Sequence, residues 1–231
     1  SEMCIRDSSI GGDGRVSAEA GADLIATAVS CCRAGWRGLE KAVGIPGSLG
    51  GAAVMNAGAY GFAISDVMRE IVVLDDSGEP INPPEGWRFR YRGSSIPEGA
   101  AVARLSFELQ RDDPEALREE ARRLAEERAA RQPAGRSAGC VFKNPEQKPP
   151  PEGPARSWPA GSAGRLIDEL GLKGMRRGAA VVSPRHANFV VNEGGARASD
   201  VLALLELVRD RVLAETGISL ELEVKVWRPR S

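Results

Sequence analysis

The sequence predicts an α+β fold, and three observations support this prediction. Residues 101–109 alternate apolar and polar side chains, which is typical of a strand with one buried face. Residues 199–217 instead carry apolar side chains three and four positions apart, which is typical of an amphipathic helix. Strands and helices follow one another without the regular alternation of a parallel α/β sheet, and we find no internal repeat.

Composition and charge limit the class of protein. The chain has 231 residues, of which 42% are hydrophobic, enough for one large or two small domains. Lysine plus arginine (31) nearly balance aspartate plus glutamate (32), which argues against a nucleic-acid-binding surface. No apolar run approaches the roughly 18 residues of a membrane-spanning helix, so we expect no membrane association. Four cysteines without C-x-x-C spacing and a single histidine indicate no metal site and reduced thiols in a cytoplasmic protein.

The first half of the chain is expected to contain one helix and two strands. Residues 18–33 are predicted as the helix. Its inner face and its end are marked by Leu24, Ala28, one of Cys31 and Cys32, and Gly35. Residues 71–74 are predicted as a β-branched strand closed by a turn at 75–78, and residues 101–109 as a second strand.

A helix is predicted at 115–131, opened by Pro114 at its first position, with one apolar stripe on an otherwise charged surface. That stripe consists of Leu117, Ala121 and Leu124. We expect the division between two domains before this helix. The predicted organisation is a non-native leader at 1–8, a first domain at 9–112 and a C-terminal domain at 113–231.

The C-terminal domain is expected to contain a proline-rich loop, two helices and a final strand. Four of the seven residues at 148–154 are prolines, which excludes regular structure there. Helices are predicted to start at the caps Ser162 and Ser199 and to stop at Gly171 and Gly217. Residues 220–227 alternate again and are predicted as the closing strand.

Residues 44–61, with the sequence GIPGSLGGAAVMNAGAYG, form the most informative segment of the chain. Six glycines and one proline in this run predict an irregular backbone rather than a helix or a strand. The backbone N–H groups of such a segment can approach a flat or anionic ligand that side chains would keep away. The alternative is a series of tight turns between packed elements.

Four ordered motifs carry a resemblance to one enzyme family. The glycine-rich segment is followed by YRGSS at 91–95, RQPAGRSAGCVFKNP at 131–145, and SAGRLIDELGLKG at 162–174 running into RHANFVVN at 185–192. The closing residues 220–226, LELEVKV, are also similar to that family's final strand. Together the motifs resemble the UDP-N-acetylenolpyruvoylglucosamine reductases, the flavoenzymes that make UDP-N-acetylmuramate for bacterial cell walls.

The resemblance implies a fold with two parts. They are a partial FAD-binding region of the PCMH or vanillyl-alcohol-oxidase type and, after it, a smaller α+β substrate-binding domain. The short connection from 95 to 131 resembles the class of the family that lacks a tyrosine-bearing insertion. Members begin with a small lobe and a G-G-G-S-N-type loop that we do not find before Gly44, so we expect an N-terminally truncated chain.

The implied function is the reduction of UDP-N-acetylglucosamine enolpyruvate to UDP-N-acetylmuramate in peptidoglycan precursor synthesis. FAD is the implied cofactor, NADPH the implied co-substrate and a UDP-sugar the implied ligand of a monomeric enzyme. Two alternatives remain open at this point. One is a fragment that binds a nucleotide sugar weakly without FAD or catalysis, and the other is a related flavoprotein oxidase with another substrate.

The resemblance gives three residues catalytic roles. Arg92 lies in the family's Tyr-Arg-x-Ser frame and is expected to bind the substrate carboxylate, where negative charge develops, although alone it could be a surface residue. Cys140 replaces the family's proton-donating serine, and a thiol with an ordinary pKa of about 8.5 stays protonated at neutral pH. Otherwise Cys140 is a small buried residue. Glu223 is expected to donate a hydrogen bond to the enolate; otherwise it lies on a solvated sheet face.

The resemblance also implies two sets of binding residues. The expected substrate-binding residues are Tyr91, Arg131, Asn144 and His186. The expected flavin-binding residues are Gly44, Pro46, Gly47, Ser48, Gly50, Gly51, Asn56 and Gly58. His186 could equally be a hydrogen-bonded structural histidine, and Lys143 and Asn188 could be packing residues near the site.

Overall fold

The computed structural model describes residues 7–145 and 161–227, and its mixture of helices and antiparallel sheets confirms the α+β prediction. Internal contacts divide the chain into two units, Ser1–Ala130 and Arg131–Ser231, which we call the first unit and the second unit. Within the described ranges, no helix is long and apolar enough to cross a membrane.

The first unit is built on an antiparallel sheet. Its strands are β1 (Ser8–Ile10), β2 (Arg15–Glu19), β3 (Trp36–Arg37), β4 (Gly58–Ala59), β5 (Phe62–Ala63), β6 (Met68–Leu74), β7 (Phe89–Arg90), β8 (Gly93–Ser94), β9 (Ala101–Glu108) and β10 (Gln110–Arg111). β1, β2, β9 and β6 pair in that order, and the other strands form two-stranded ribbons, β3 with β10, β4 with β5 and β7 with β8. β6 and β9 confirm the two strands predicted for this half of the chain.

The helices of the first unit share one hydrophobic core with strands β2 and β9 of this sheet. They are α1 (Leu24–Arg33), α2 (Leu49–Val54) and α3 (Pro114–Arg131), with short 3₁₀ turns at Glu40–Ala42 and Ile64–Asp66. The helix predicted at 18–33 begins later than expected, because the chain first completes β2, whose alternate residues enter the core. Asp23 then caps α1 by accepting the backbone N–H of Ala26 at 2.7 Å. Cys31 and Cys32 are both buried.

The glycine-rich segment is more regular than the sequence predicts, because part of it forms helix α2. Ser48 caps this helix by accepting the backbone N–H of Gly51 at 3.2 Å. A side chain on Gly50 would place its Cβ 2.7 Å from the Cβ of Ala20. Gly50 is therefore required by close packing against the chain that leaves β2, and its presence does not make the backbone irregular.

α3 belongs to the first unit. Its predicted stripe, Leu117, Ala121 and Leu124, is buried in the core of this unit. Arg37 in β3 pairs with Asp112 just before α3 and with Glu120 inside it, the latter at 3.2 Å. The division between the units falls between Ala130 and Arg131, before the last residue of this helix, whereas the sequence suggested a boundary before residue 113.

The second unit packs two helices on a four-stranded antiparallel sheet. Its elements are β11 (Arg136–Cys140), α4 (Ala163–Glu169), β12 (Arg176–Arg177), β13 (Ala180–Val182), β14 (Phe189–Asn192) and α5 (Ala198–Thr216). The strands lie in the order β11, β14, β13, β12. Val182 and Val190 share a core with Leu204 and Val208 of α5, as the spacing of apolar residues in that helix predicts.

The helix ends of the second unit largely follow the sequence. Ser162 caps α4 by accepting the backbone N–H of Arg165 at 3.2 Å, and Gly217 ends α5 in the left-handed conformation with φ 72°. Ser199 is not the cap of α5. The helix begins after Arg197, whose backbone N–H donates to the carboxylate of Asp200 at 2.9 Å.

The predicted closing strand is reduced to a single β-bridge between Leu222 and Phe142. Two backbone hydrogen bonds flank this bridge, at 2.8 Å and 2.9 Å. The alternating pattern continues to Trp227, but that side chain is 91% exposed, and the described residues provide no further ladder partner for this segment. The predicted loop at 148–154 lies outside the described residues.

Candidate functional site

In the first unit, the hairpin of β7 and β8 that carries Arg92 is tied to the glycine-rich segment at three points. The hydrogen bonds run from Asn56 Nδ2 to the Arg90 carbonyl at 3.2 Å, from Arg92 Nη1 to the Gly58 carbonyl at 3.1 Å, and from Ser94 Oγ to the Val54 carbonyl at 2.9 Å. Two predicted groups of residues, the arginine motif and the glycine-rich motif, are therefore neighbours in the fold.

Arg92 occupies the turn of this hairpin with a backbone φ of 53°, in the left-handed region that non-glycine residues seldom adopt. Its guanidinium lies 5.2 Å from the ring centroid of Tyr91, within the range of a cation–π contact. Tyr91 is 53% exposed, whereas Arg92 is half-buried. A planar cation bonded to the Gly58 carbonyl is thus held beside an exposed aromatic ring.

The eight predicted flavin-binding residues separate into an exposed set and an internal set. Pro46, Gly47 and Gly51 are exposed, and a Cβ added to Gly47 would meet no atom within 4 Å. Three other members serve the packing of the segment itself. Gly50 contacts Ala20, Asn56 is 8% exposed and joins Arg90 and Ser65, and a Cβ on Gly58 would lie 2.1 Å from the Phe62 carbonyl oxygen.

Two of the predicted flavin-binding residues, Gly47 and Ser48, line a cleft of about 360 Å³ in the first unit. Residues of α1 and its cap Asp23 line the same cleft. Gly44, the remaining member, lies under the side chain of Arg128 on α3, because a Cβ there would be 2.4 Å from Arg128 Cδ. An open backbone surface next to a cleft of this size fits a flat ligand with an anionic part.

In the second unit, Cys140 ends β11 opposite Phe189, after an irregularity that begins at Ser137. Gly139 reaches a φ of 82° just before it. The half-buried Cys140 differs from Cys31 and Cys32, whose thiols are buried in the core of the first unit. Burial raises the pKa of Cys31 to about 12 and that of Cys32 to about 11, so neither thiol forms the thiolate that a nucleophile requires near neutral pH.

Glu223 lies beside the segment that follows Cys140. Its backbone N–H donates to the carbonyl oxygen of Val141 at 2.9 Å, and its side chain is half-buried. Two positions further along, Lys143 donates its backbone N–H to the carbonyl oxygen of Glu221 at 2.8 Å. The fold therefore brings two of the three predicted catalytic residues to adjacent main-chain positions of the second unit, while Arg92 belongs to the first unit.

Asn144 and His186 both lie at the start of α4. The Asn144 side chain accepts the backbone N–H of Ala163 at 3.0 Å. A Cβ on Gly164 would lie 3.2 Å from Cε1 of His186, so this glycine leaves space for the imidazole. His186 also makes structural contacts, with a ring centroid 4.8 Å from that of Phe189. Arg131, the fourth residue expected to bind substrate, is the exposed last residue of α3.

Asn188, which the sequence suggested could be a packing residue near the site, makes bonds that the sequence did not reveal. It is 3% exposed, and its side-chain amide bonds to both backbone groups of Phe142. The available indication was its position, because it is a polar residue between the apolar residues Ala187 and Phe189 at the start of a buried strand.

Comparison with known proteins decides the family. The family described as "UDP-N-acetylenolpyruvoylglucosamine reductase, C-terminal domain" matches residues 131–227. A protein named UDP-N-acetylenolpyruvoylglucosamine reductase from Chloroflexus aggregans is 41% identical over 215 residues, which cover 90% of this chain and 68% of that protein. The chain belongs to the UDP-N-acetylenolpyruvoylglucosamine reductase family.

Two further relatives agree with this membership. The reductase of that name from Heliobacterium modesticaldum is 46% identical over 217 residues, covering 93% of this chain and 65% of that protein. The chain thus spans about two thirds of the length of such reductases. The crystal structure of UDP-N-acetylenolpyruvylglucosamine reductase (MurB) from Thermus caldophilus superposes with a TM-score of 0.76 at 40% identity, covering 92% of this chain and 72% of that one.

Proposed function

We propose that this protein reduces UDP-N-acetylglucosamine enolpyruvate to UDP-N-acetylmuramate, with FAD as cofactor and NADPH as co-substrate. The observation that supports this most strongly is the attachment of Arg92 to the glycine-rich segment, through the bond from its Nη1 to Gly58 and the two flanking bonds. A carboxylate-binding group is thereby held next to the residues suited to a flat cofactor. The proposed role is peptidoglycan precursor synthesis by a monomer in the cytoplasm.

The residues proposed to hold the FAD are the exposed part of the glycine-rich segment, Pro46, Gly47 and Gly51, together with the half-buried Ser48. The internal members Gly50, Asn56 and Gly58 act indirectly, because they shape that segment and tie it to the arginine hairpin. When bound, a reduced flavin supplies the hydride, which no amino-acid side chain provides.

Arg92 is proposed to bind the carboxylate of the enolpyruvyl group. Addition of hydride to one alkene carbon moves negative charge onto that carboxylate as an enolate, and a guanidinium offers two parallel N–H donors to it. Its anchoring through Nη1 to Gly58 fixes the orientation of the fork before the substrate arrives. Tyr91, whose ring lies against the guanidinium, is proposed to contact the substrate beside it.

Cys140 is proposed to protonate the other alkene carbon. Transfer of the S–H proton to the α-carbon of the enolate completes the reduction and leaves a thiolate, which regains a proton from water. Glu223 is proposed to donate a hydrogen bond to the enolate in its protonated form. The backbone bond between Glu223 and Val141 supports a shared task for these two residues, because it holds their segments side by side.

The nucleotide-sugar part of the substrate is proposed to bind through Arg131, Asn144 and His186. Arg131 suits the diphosphate because its charge and fork match phosphoryl oxygens. Asn144 and His186 are proposed to contact the amide and the sugar, and their common position at the start of α4 supports a shared ligand.

A second candidate function is binding of a nucleotide sugar without flavin or catalysis. It is favoured by one observation, that the named family domain matches only residues 131–227 while the chain spans 65% of the Heliobacterium reductase. In this case the second unit alone would bind the ligand.

Visible absorption and calorimetry separate the two functions. The purified chain is saturated with FAD, freed of excess cofactor and scanned for the flavin band near about 450 nm, and UDP-N-acetylglucosamine is then titrated. The proposed reductase gives the band and binds the sugar nucleotide. Binding of the sugar nucleotide without the band supports the second candidate, and binding of neither rejects both.

A further inference from the structure

The side chain of Asn188 acts as a strand partner for Phe142. Its Nδ2–H donates to the Phe142 carbonyl at 2.8 Å, and its Oδ1 accepts the Phe142 backbone N–H at 3.0 Å. The backbone carbonyl of Asn188 also accepts the N–H of Val141 at 2.9 Å. Because Asn188 is 3% exposed, these bonds form in a low-dielectric interior where an unpaired amide is costly.

The segment from Val141 to Lys143 is consequently fixed on both edges. Asn188 bonds to one edge, and the backbone of Glu221 and Glu223 bonds to the other at 2.8 Å and 2.9 Å. Cys140 immediately precedes this segment and Asn144 immediately follows it. The positions of both proposed site residues therefore depend on the bonds that Asn188 makes.

Asn188 also influences which ring nitrogen of His186 carries the proton. Its backbone N–H donates to Nδ1 of His186 at 3.2 Å, so Nδ1 is the acceptor nitrogen of the ring. A neutral imidazole with an acceptor at Nδ1 carries its proton on Nε2. The ring contacts the ring of Phe189, and Gly164 leaves room for Cε1 because it has no Cβ.

We propose that Asn188 is a positioning residue of the nucleotide-sugar site: it sets His186 as an Nε2–H donor and fixes the main chain that carries Cys140 and Asn144. The inference rests on the proposed function of the second unit. The group recognised by His186 is a hydrogen-bond acceptor oxygen, which a nucleotide sugar carries on its base, its diphosphate and its sugar amide. UDP-N-acetylglucosamine, UDP and uridine serve as probes that distinguish these sources.

The protonation state can be read without flavin or substrate, because the chain contains one histidine and its imidazole signals need no assignment by mutation. Long-range ¹H–¹⁵N spectra of the ¹⁵N-labelled chain at neutral pH are expected to show Nε2 protonated and Nδ1 unprotonated. In N188A the backbone donor loses the two bonds that hold it, so we expect a mixture of both tautomers. A wild-type ring protonated at Nδ1 would overturn the proposal.

Asn192 provides the matched control. It ends the same strand, β14, and its Oδ1 accepts the backbone N–H groups of Gly194 and Ala196, in a turn outside the contacts of His186 described above. N192A removes an asparagine that also makes two side-chain hydrogen bonds and is expected to leave the tautomer unchanged. Urea unfolding of both variants checks that the spectra are recorded on folded protein.

Ligand binding tests the functional half of the proposal. UDP-N-acetylglucosamine is expected to bind N188A about tenfold more weakly than the wild type, a loss of about 1.4 kcal/mol, and to bind N192A unchanged. If N188A does not fold, G164A takes its place, because an added Cβ would lie 3.2 Å from Cε1 of His186 but at ordinary contact distances, 3.4 Å and 3.6 Å, from Cβ and N of Asn188. Comparison with UDP and uridine shows which oxygen is lost.

Two results distinguish the failure of this proposal from the failure of the proposed function. Unchanged affinity and an unchanged tautomer in N188A would leave the nucleotide-sugar site in place and refute the positioning role. A wild-type chain that binds none of the three probes would refute the proposed function of the second unit, and with it the donor role of His186, whatever tautomer the spectra show.

Discussion

Cys140 is where this chain departs from the serine that its resemblance to the reductases leads one to expect. The thiol sits at the end of β11 and is half-buried, in contrast to the two thiols in the core of the first unit. Both a thiol and a hydroxyl carry a transferable hydrogen, so the substitution preserves the proposed chemistry.

Replacement of Cys140 separates proton donation from packing. In the flavin-loaded enzyme, C140S is expected to remain active, whereas C140A should slow reoxidation of the reduced flavin by the enolpyruvyl substrate by roughly 10²–10⁴-fold. Reduction of the flavin by NADPH should be unaffected, because that half-reaction needs no proton at the substrate carbon. Stopped-flow absorbance measures the two steps separately. Equal reoxidation rates for C140A and wild type would reduce Cys140 to a packing residue.

Replacement of Arg92 by lysine tests the carboxylate role. Lysine keeps the charge but loses the planar fork and the bond to Gly58, so kcat should fall by about a hundredfold or more. The control is R90K, because Arg90 lies in the same hairpin with an exposed side chain and uses only its carbonyl to bind Asn56. Steady-state turnover is the measurement, and R92K with wild-type kcat would place Arg92 outside the site.

Cys31 gives a prediction on pH and stability. Burial raises the pKa of this thiol from 9.0 to about 12, so the folded state holds the proton more tightly than the unfolded state does. The stabilisation is complete below about pH 9 and is lost as the pH rises towards 12. Relative to C31A, the wild type should lose about 1.4 kcal/mol of unfolding free energy between pH 8 and pH 10. Urea unfolding measures this free energy at each pH. If it changed equally with pH in the two proteins, the assigned burial effect would be contradicted.

At the scale of elements, helix α2 shows why the glycine-rich segment misled sequence reasoning. Six glycines and one proline in residues 44–61 predicted irregular backbone, but two of these glycines lie inside the helix. A Cβ on Gly50 would lie 2.7 Å from the Cβ of Ala20, so close packing requires glycine there, whereas Gly51 is exposed. Intrinsic helix propensity is overridden here by tertiary packing, which a single sequence does not display.

The two glycines of α2 provide a matched pair of substitutions. G50A should destabilise the chain by about 1–3 kcal/mol, because its Cβ would overlap Ala20. G51A has only Ser48 Oγ at 3.4 Å and should be neutral or stabilising by up to about 1 kcal/mol. If the exposed set holds the flavin, G51A should nevertheless weaken FAD binding by about tenfold. Urea unfolding and flavin titration give both values, and a reversed order of stabilities would disprove the packing account.

Other elements were predicted correctly where residues close together in the sequence determine the structure. The period of apolar residues located α5, and proline at its first position located α3. The closing segment at 220–227 had the alternation of a strand, yet only Leu222 forms a bridge, because a strand also requires a partner along its length. The bonds of Asn188 to Phe142 escaped prediction for the same reason, since the two residues are distant in sequence.

At the scale of the whole molecule, the proposed site residues are divided between the two units. Arg92, Tyr91 and the glycine-rich segment belong to the first unit, and Cys140, Asn144, His186 and Glu223 belong to the second. The ordered motifs indicated all of these residues from the sequence alone. What the motifs did not indicate is the scaffold of each group, namely the three bonds from the arginine hairpin and the amide of Asn188.

The central claim is that this protein couples the oxidation of NADPH to the reduction of an enolpyruvyl group. The most direct test adds UDP-N-acetylglucosamine enolpyruvate to the FAD-saturated protein under anaerobic conditions and follows NADPH absorbance together with the product. The account predicts that each NADPH consumed yields one UDP-N-acetylmuramate and that R92K suppresses both signals equally. Binding of flavin and sugar nucleotide without NADPH consumption, or consumption without UDP-N-acetylmuramate, would contradict it.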